Sequence, residues 1–146
     1  MILYQFICNT SHCDINKNTI MKVIIAGSRT ITKRHIVEDA FFEWFGRQDV
    51  SEIVSGCAQG VDTLAIEFAE ANGYDVVKFP ANWYDSNGKF DRSGGFKRNM
   101  QMAEYADALL AIWDGKSKGT KHMIDSMFLL GKPVVVVFHK DFEHFF

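Results

Sequence analysis

Three times in this chain an apolar run is followed at once by a glycine-bearing turn. The first turn is Ala26-Gly27-Ser28-Arg29-Thr30, after Val23-Ile24-Ile25. The second is Ser55-Gly56-Cys57-Ala58-Gln59-Gly60-Val61-Asp62, after Ile53-Val54. The third is Asp114-Gly115-Lys116-Ser117-Lys118-Gly119-Thr120, after Ala108-Leu109-Leu110-Ala111-Ile112-Trp113. Strands that are apolar throughout need cover on both faces, and strands alternating with helices make βαβ units with a parallel sheet. With right-handed crossovers the expected fold is α/β, a Rossmann-like three-layer α/β/α sandwich with a mainly parallel sheet. Its glycine turns would point backbone N–H groups and helix dipoles at one sheet edge, where phosphates bind.

The remaining elements fit that plan. Strands are expected over residues 22–26, 50–54, 74–79, 108–113 and 134–138. A first helix, with Thr32 as its N-cap, should run to Phe45 and bury Ile36, Val37, Ala40, Phe41, Trp44 and Phe45. A second should span residues 61–72 and close at Gly73. Residues 81–95 read as a long loop, which in a compact domain is usually functional or mobile. Helices should follow over residues 96–105 and 120–130. The aromatic residues Phe41, Phe42, Trp44, Phe45, Phe68 and Phe128 read as core.

At 146 residues, 47% of them hydrophobic, the chain is one soluble globular domain. A formal net charge of −2 gives no general attraction for nucleic acid. Three cysteines, Cys8, Cys13 and Cys57, suit unpaired thiols in a reducing cytoplasm. Cys8, His12 and Cys13 lack an evident fourth ligand, so no metal or other cofactor is expected. No apolar stretch is long enough for a membrane span, and the start has no basic segment of a signal peptide. Residues 1–20 read as an appendage to the domain at 21–138, through a start codon set too far upstream or as an extra edge strand formed by residues 2–7. Residues 139–146 read as a tail that packs on the domain or mediates self-association.

The turns carry the candidate ligand contacts. Gly27 lets the chain leave its strand sharply; Ser28 can bond a phosphate or ribose oxygen, and Arg29 can hold a phosphate bidentately. In the second turn Ser55, Gly56, Ala58 and Gly60 allow close backbone approach to an anion. Val61 and Asp62 open the helix, with Asp62 favouring the dipole or bonding a ribose hydroxyl or a base. In the third, Asp114, Gly115, Ser117, Gly119 and Thr120 form another anion cradle, with Lys116, Lys118 and Lys121 adding positive potential. Arg98 and Asn99 follow the long loop and can reach the same edge. Trp83 and Tyr84 either stack on a base or anchor the loop. Neither G-x-G-x-x-G nor a P-loop is present, so an ordinary NAD site and a P-loop NTPase are disfavoured. The histidines, including His35 and His122 on helices, form no catalytic pattern.

These motifs, with Lys97-Arg98-Asn99-x-x-Met102-Ala103, Ala106-Asp107-Ala108 and Ile124-Asp125, resemble the YspA/YpsA-related branch of the SLOG superfamily over residues 21–137. That superfamily is named from the Smf/DprA DNA-processing proteins and the LOG nucleotide hydrolases, and the branch is often bacterial or phage-encoded. The resemblance implies a Rossmann-like domain for a nucleotide or nucleotide-derived small molecule. The LOG enzymes are similar in layout, and Arg98 stands where their catalytic arginine stands. Their catalytic glutamate, just after Gly-Thr, has no counterpart behind Gly119-Thr120, where Lys121-His122-Met123 follows. Asp125 is the nearest carboxylate. Cleaving an N-glycosidic bond needs a carboxylate beside the oxocarbenium-like centre.

The leading expectation is therefore a cytoplasmic protein that senses or sequesters a nucleotide-derived ligand. Phosphate would sit at the Gly60 helix start or at the Gly119-Thr120 helix start. The runner-up is an N-glycosidase acting on nucleoside monophosphates through Arg98 with Asp125 or Asp62. A third option is a DprA-like module for single-stranded DNA, since DprA proteins carry a similar Ser-Gly-x-Ala-x-Gly-[Ile/Val]-Asp. Related domains often pair through helices, so a homodimer is expected.

Overall fold

The computed structural model describes the backbone of residues 2–7 and, in full, residues 20–139. Cys8, His12, Cys13 and residues 140–146 lie outside the described residues. The element order is β1 (Ile2–Ile7), β2 (Ile20–Gly27), α1 (Arg34–Phe45), β3 (Asp49–Ser55), α2 (Val61–Asn72), β4 (Asp75–Lys78), α3 (Gly94–Tyr105), β5 (Ala108–Trp113), α4 (Lys118–Leu129) and β6 (Val134–His139). The sheet order is β1-β6-β5-β2-β3-β4. β2 to β6 run parallel, and β1 lies antiparallel on the edge strand β6, pairing Ile2 with His139 and Ile7 with Val134.

Alternation along the strands divides the core in two. Val23, Ile25, Ile53, Leu110, Ile112, Val135 and Val137 pack under α1 and α2. Ile24, Ala26, Val54, Leu109, Ala111, Val134 and Val136 pack under α3 and α4. Both faces are therefore covered, which is why these strands read as continuous apolar runs. The aromatic residues Phe41, Phe45 and Phe68 are fully buried on the first face, with Phe41 and Phe68 5.0 Å apart between centroids.

The chain starts the parallel sheet at β2, builds outward through β3 and β4, then returns to β5 on the other side of β2. Its connections leave β2 and β5 toward opposite faces. This is a topological switch point, and it opens a crevice outside the carboxyl ends of these two strands.

Several boundaries differ from the sequence-based expectation. The cap of α1 is Lys33, whose side chain does not cap the helix, rather than Thr32. β4 is shorter than residues 74–79, although Phe79 N–H still donates to the Ser55 carbonyl at 2.8 Å. Helix α3 begins at Gly94 inside the expected loop, and α4 begins at Lys118 with Ser117 as its N-cap. Phe42, expected in the core, is 49% exposed, its ring meeting the buried Phe41 and Phe68 only edge-on. β6 runs one residue further than expected, to His139. The helix over Val61–Asn72 has the expected limits, and Gly73 closes it in the left-handed region at φ 77°.

Candidate functional site

The β2 turn is fastened from below. Gly27 runs so close to β5 that a Cβ there would lie 2.1 Å from the Ile112 carbonyl oxygen. Ser28 is buried, and its N–H donates to that same carbonyl at 3.0 Å. Its hydroxyl accepts from the Asp114 N–H at 2.9 Å, so the turns after β2 and β5 are joined at the switch point. Arg29 follows and is exposed at the mouth of the crevice.

The β3 turn is built around a buried carboxylate. Asp62, 5% exposed, accepts from the Ala58 N–H at 3.2 Å, and the Ser55 hydroxyl donates to the Asp62 carbonyl at 2.9 Å. Burial pushes the Asp62 carboxyl up to about 6, against the opposing pull of the Ala58 N–H, Arg98, the Gly27 N–H and Arg29. Gly60 sits at φ 77°, and a Cβ there would lie 2.4 Å from the Ser28 carbonyl oxygen. The Val61 N–H donates to that carbonyl at 3.3 Å. The start of α2 is thus occupied by the chain's own β2 turn.

Helix α3 brings the cations. Arg98 donates through Nη1 to the Gly56 carbonyl and, at 3.4 Å, to the Phe79 carbonyl. Its Nε donates to Asn99 Oδ1 at 3.1 Å. Asn99 is buried and spends its amide N–H groups on the Gly119 carbonyl at 3.2 Å and on His122 Nδ1 at 3.1 Å. Because Asn99 donates, His122 Nδ1 is an acceptor and the ring is neutral. Burial accordingly holds His122 below the ordinary histidine range, opposed by Asp125. Lys97, beside Arg98, is taken by Asp91 at 2.6 Å.

The β5 turn leads into α4. Asp114 Oδ1 accepts from the N–H groups of Lys116 and Ser117 at 2.8 and 2.9 Å. Burial raises the Asp114 carboxyl, but these bonds and the Ser28 hydroxyl outweigh it and hold it below the usual carboxylate range. Ser117 Oγ caps Thr120 N–H at 3.5 Å and accepts from the Thr120 hydroxyl at 3.2 Å. Among the described residues no group accepts from the N–H of Lys118 or Gly119, the first two of the helix. Nothing lies within 4 Å of where a Gly119 Cβ would be.

Two adjoining clefts open here. The inner one, about 420 Å³ including its open mouth, is lined by Gly27, Arg29, Ala58, Asp62, Arg98, Asn99, Ser117, Gly119 and Thr120, with Ala26, Met102 and Met123 as its apolar floor. The outer one, about 710 Å³ on the same measure, is lined by Arg29, Gly56, Ala58 and Arg98 together with Cys57, Gln59, Pro80, Ala81 and Trp83. Ser28, Ser55, Gly60, Val61, Asp114 and Gly115 line neither cleft; the first four fix the turns from behind. Asp125 is not brought to either cleft: it is 58% exposed on α4 and paired with Lys121 at 2.7 Å. Tyr84 is 62% exposed on the long loop, bridged to Phe90.

Sequence reasoning did not single out Met123, Cys57, Gln59, Pro80 and Ala81 as cleft walls. Met123 stands three residues after Thr120, so helical spacing carries the signal for it. Cys57 has the positive φ of 63°, which no sequence pattern announces for a cysteine. Among the described residues no cluster of His, Cys, Asp and Glu could hold a metal ion, and no helix is long and apolar enough to cross a membrane.

A parallel sheet covered by helices on both faces, with a crevice at its switch point, defines a Rossmann-like α/β domain. The profile of the YspA, cpYpsA-related SLOG family matches residues 21–85. The Gene 61 protein of Mycobacterium phage D29 is 32% identical over 121 residues, which cover 78% of this chain and 94% of that protein. The chain belongs to the YspA, cpYpsA-related SLOG family.

Proposed function

We propose that this protein binds a nucleotide or nucleotide-derived small molecule in the inner cleft, as a sensor or sequestering protein in the cytoplasm. The observation that carries the reading is the start of α4. Its first N–H groups have no acceptor among the described residues, and Ser117, Gly119 and Thr120 share one cleft with Arg29 and Arg98. Free N–H groups, a helix dipole and two guanidinium groups along one cleft suit an anion. The start of α2 is the weaker seat, because Ser28 already accepts from Val61 N–H there. Equilibrium titration with a panel of nucleotides tests this. Micromolar binding that is lost in Arg98→Ala supports the reading, and no binding by any member overturns it.

A hydrolase is the second reading, and Asp62 favours it. This buried carboxyl lines the inner cleft with Arg98, and its raised pKa suits proton transfer near neutral pH. Asp125, on the exposed side of α4 and paired with Lys121, is the weaker candidate for that role. Free base appearing during incubation with nucleoside monophosphates, and absent with Asp62→Asn, distinguishes the hydrolase from the binder.

A further inference from the structure

We propose that the outer cleft seats an aromatic base, so that the ligand is a purine nucleotide laid across both clefts, its phosphate at the start of α4 and its ring against Trp83. This rests on the reading that a nucleotide-derived ligand enters the inner cleft; it adds where the base goes and which nucleotides fit.

The two clefts meet at Arg29, Ala58 and Arg98, which line both. A ligand extending from one to the other passes between a cleft edge and two guanidinium groups. The inner cleft is the smaller and is walled largely by turns and helix starts. The outer is the larger; Trp83, Pro80, Ala81 and Ala58 give it flat or apolar surfaces, and Gln59 with the two arginines gives it polar ones. Flat apolar walls beside a few polar groups suit a planar heterocycle, which stacks on its face and hydrogen-bonds at its edge.

Trp83 is held in place yet left open. Its indole packs on α3 where Gly95 has no side chain, since a Cβ there would lie 3.3 Å from Cη2 of the ring. Phe90 stacks on it at 6.1 Å between centroids and 14° between planes, and the Trp83 carbonyl accepts from Asp91 N–H at 2.7 Å. The side chain remains part of a solvent-facing wall, and Trp83 is 38% exposed. A fixed, exposed indole beside two cations is a stacking platform whose orientation cost has already been met. A purine covers more of an indole than a pyrimidine does, so purines should be favoured.

The test titrates the full chain by calorimetry with adenosine 5′-monophosphate, cytidine 5′-monophosphate and ribose 5-phosphate. In the wild type the adenine nucleotide should bind about tenfold or more tightly than ribose 5-phosphate, with the cytosine nucleotide between them. Trp83→Leu should remove most of that advantage and leave ribose 5-phosphate unchanged, while Trp83→Phe keeps much of it. If ribose 5-phosphate binds as tightly as the adenine nucleotide, or the advantage survives Trp83→Leu, the base seat is wrong and nucleotide binding in the inner cleft stands. If none of the three binds the wild type, both readings fall. The wild-type ratio decides the matter even if a variant fails to fold.

Discussion

Arg98 and Gly56 are in contact although 42 positions apart: the guanidinium donates to the Gly56 carbonyl, and only the missing side chain lets it lie there. A Cβ on Gly56 would stand 2.7 Å from Nη1 of Arg98 and 2.9 Å from Oδ2 of Asp62. The β3 turn thus carries a glycine so that a cation and a carboxyl can approach it from two sides. Gly56→Ala should push the guanidinium out of the shared wall of the two clefts. The expected result is a loss of nucleotide affinity of about tenfold or more, with a stability cost of about 1–3 kcal/mol from overpacking. Calorimetry and thermal melting read the two effects separately.

Gly60 and Gly115 both have positive φ, 77° and 82°, but differ in surroundings. At Gly60 a Cβ would meet the backbone of Ser28 and Arg29 within 2.7 Å, whereas nothing lies within 4 Å at Gly115. Gly115→Ala should therefore cost only the left-handed backbone term, about 1–2 kcal/mol. Gly60→Ala should add overpacking of a further 1–3 kcal/mol or so and displace Arg29. Denaturant unfolding of the two variants side by side checks the difference.

Asp62 sets a pH dependence of stability. Its folded pKa of about 6 lies above the ordinary 3.8, so the folded state holds the extra proton between those values. Stability should consequently fall as pH rises from about 4 to about 6, by up to roughly 3 kcal/mol for a shift of this size. Asp91, lowered to about 2 chiefly by Lys97, acts below that window and with the opposite sign. His122, held low by burial, also opposes it near pH 6. The difference between wild type and Asp62→Asn isolates the effect: the variant should gain on the wild type as pH rises through 6. Equal pH profiles would contradict it.

Asn99 joins α3 to α4 through the Gly119 carbonyl and His122 Nδ1. Asn99→Ala removes a donor to the unprotonated imidazole, so the His122 pKa should move up toward its usual value. It also leaves the part-buried Arg98 Nε and His122 Nδ1 short of a partner, for a loss of about 1–3 kcal/mol. A histidine titration followed by NMR reports the first effect, and melting reports the second.

The strand runs, the glycine turns and the second helix were legible in the sequence because each depends on nearby residues: continuous apolar stretches, Gly27 at a strand end, Gly73 past a helix. The start of α3 was not. Two glycines are poor helix formers, and they begin the helix because Asn82 and Trp83 pack against them: a Cβ on Gly94 would lie 2.2 Å from the Asn82 carbonyl oxygen. An Asp91 turn, bonded to the Ser93 N–H and hydroxyl, leads into that helix. The start of α4 hid behind Gly119-Thr120, although Ser117, three residues before Thr120, is a suitable cap. At the site, the turns could be read from glycine positions. The outer cleft could not, because its wall joins Cys57 and Gln59 to Pro80, Ala81 and Trp83 from a distant loop. Asp125, five residues after Thr120, falls by helical spacing on another side of α4, where it is exposed and paired with Lys121.

The most direct measurement is mass spectrometry of small molecules released from the purified protein after incubation with a nucleotide panel. Retention of an intact phosphate-bearing nucleotide by the wild type, and its loss from Arg98→Ala, is the predicted result. A protein that retains no nucleotide, or one that releases free base and ribose phosphate, would contradict a binding role.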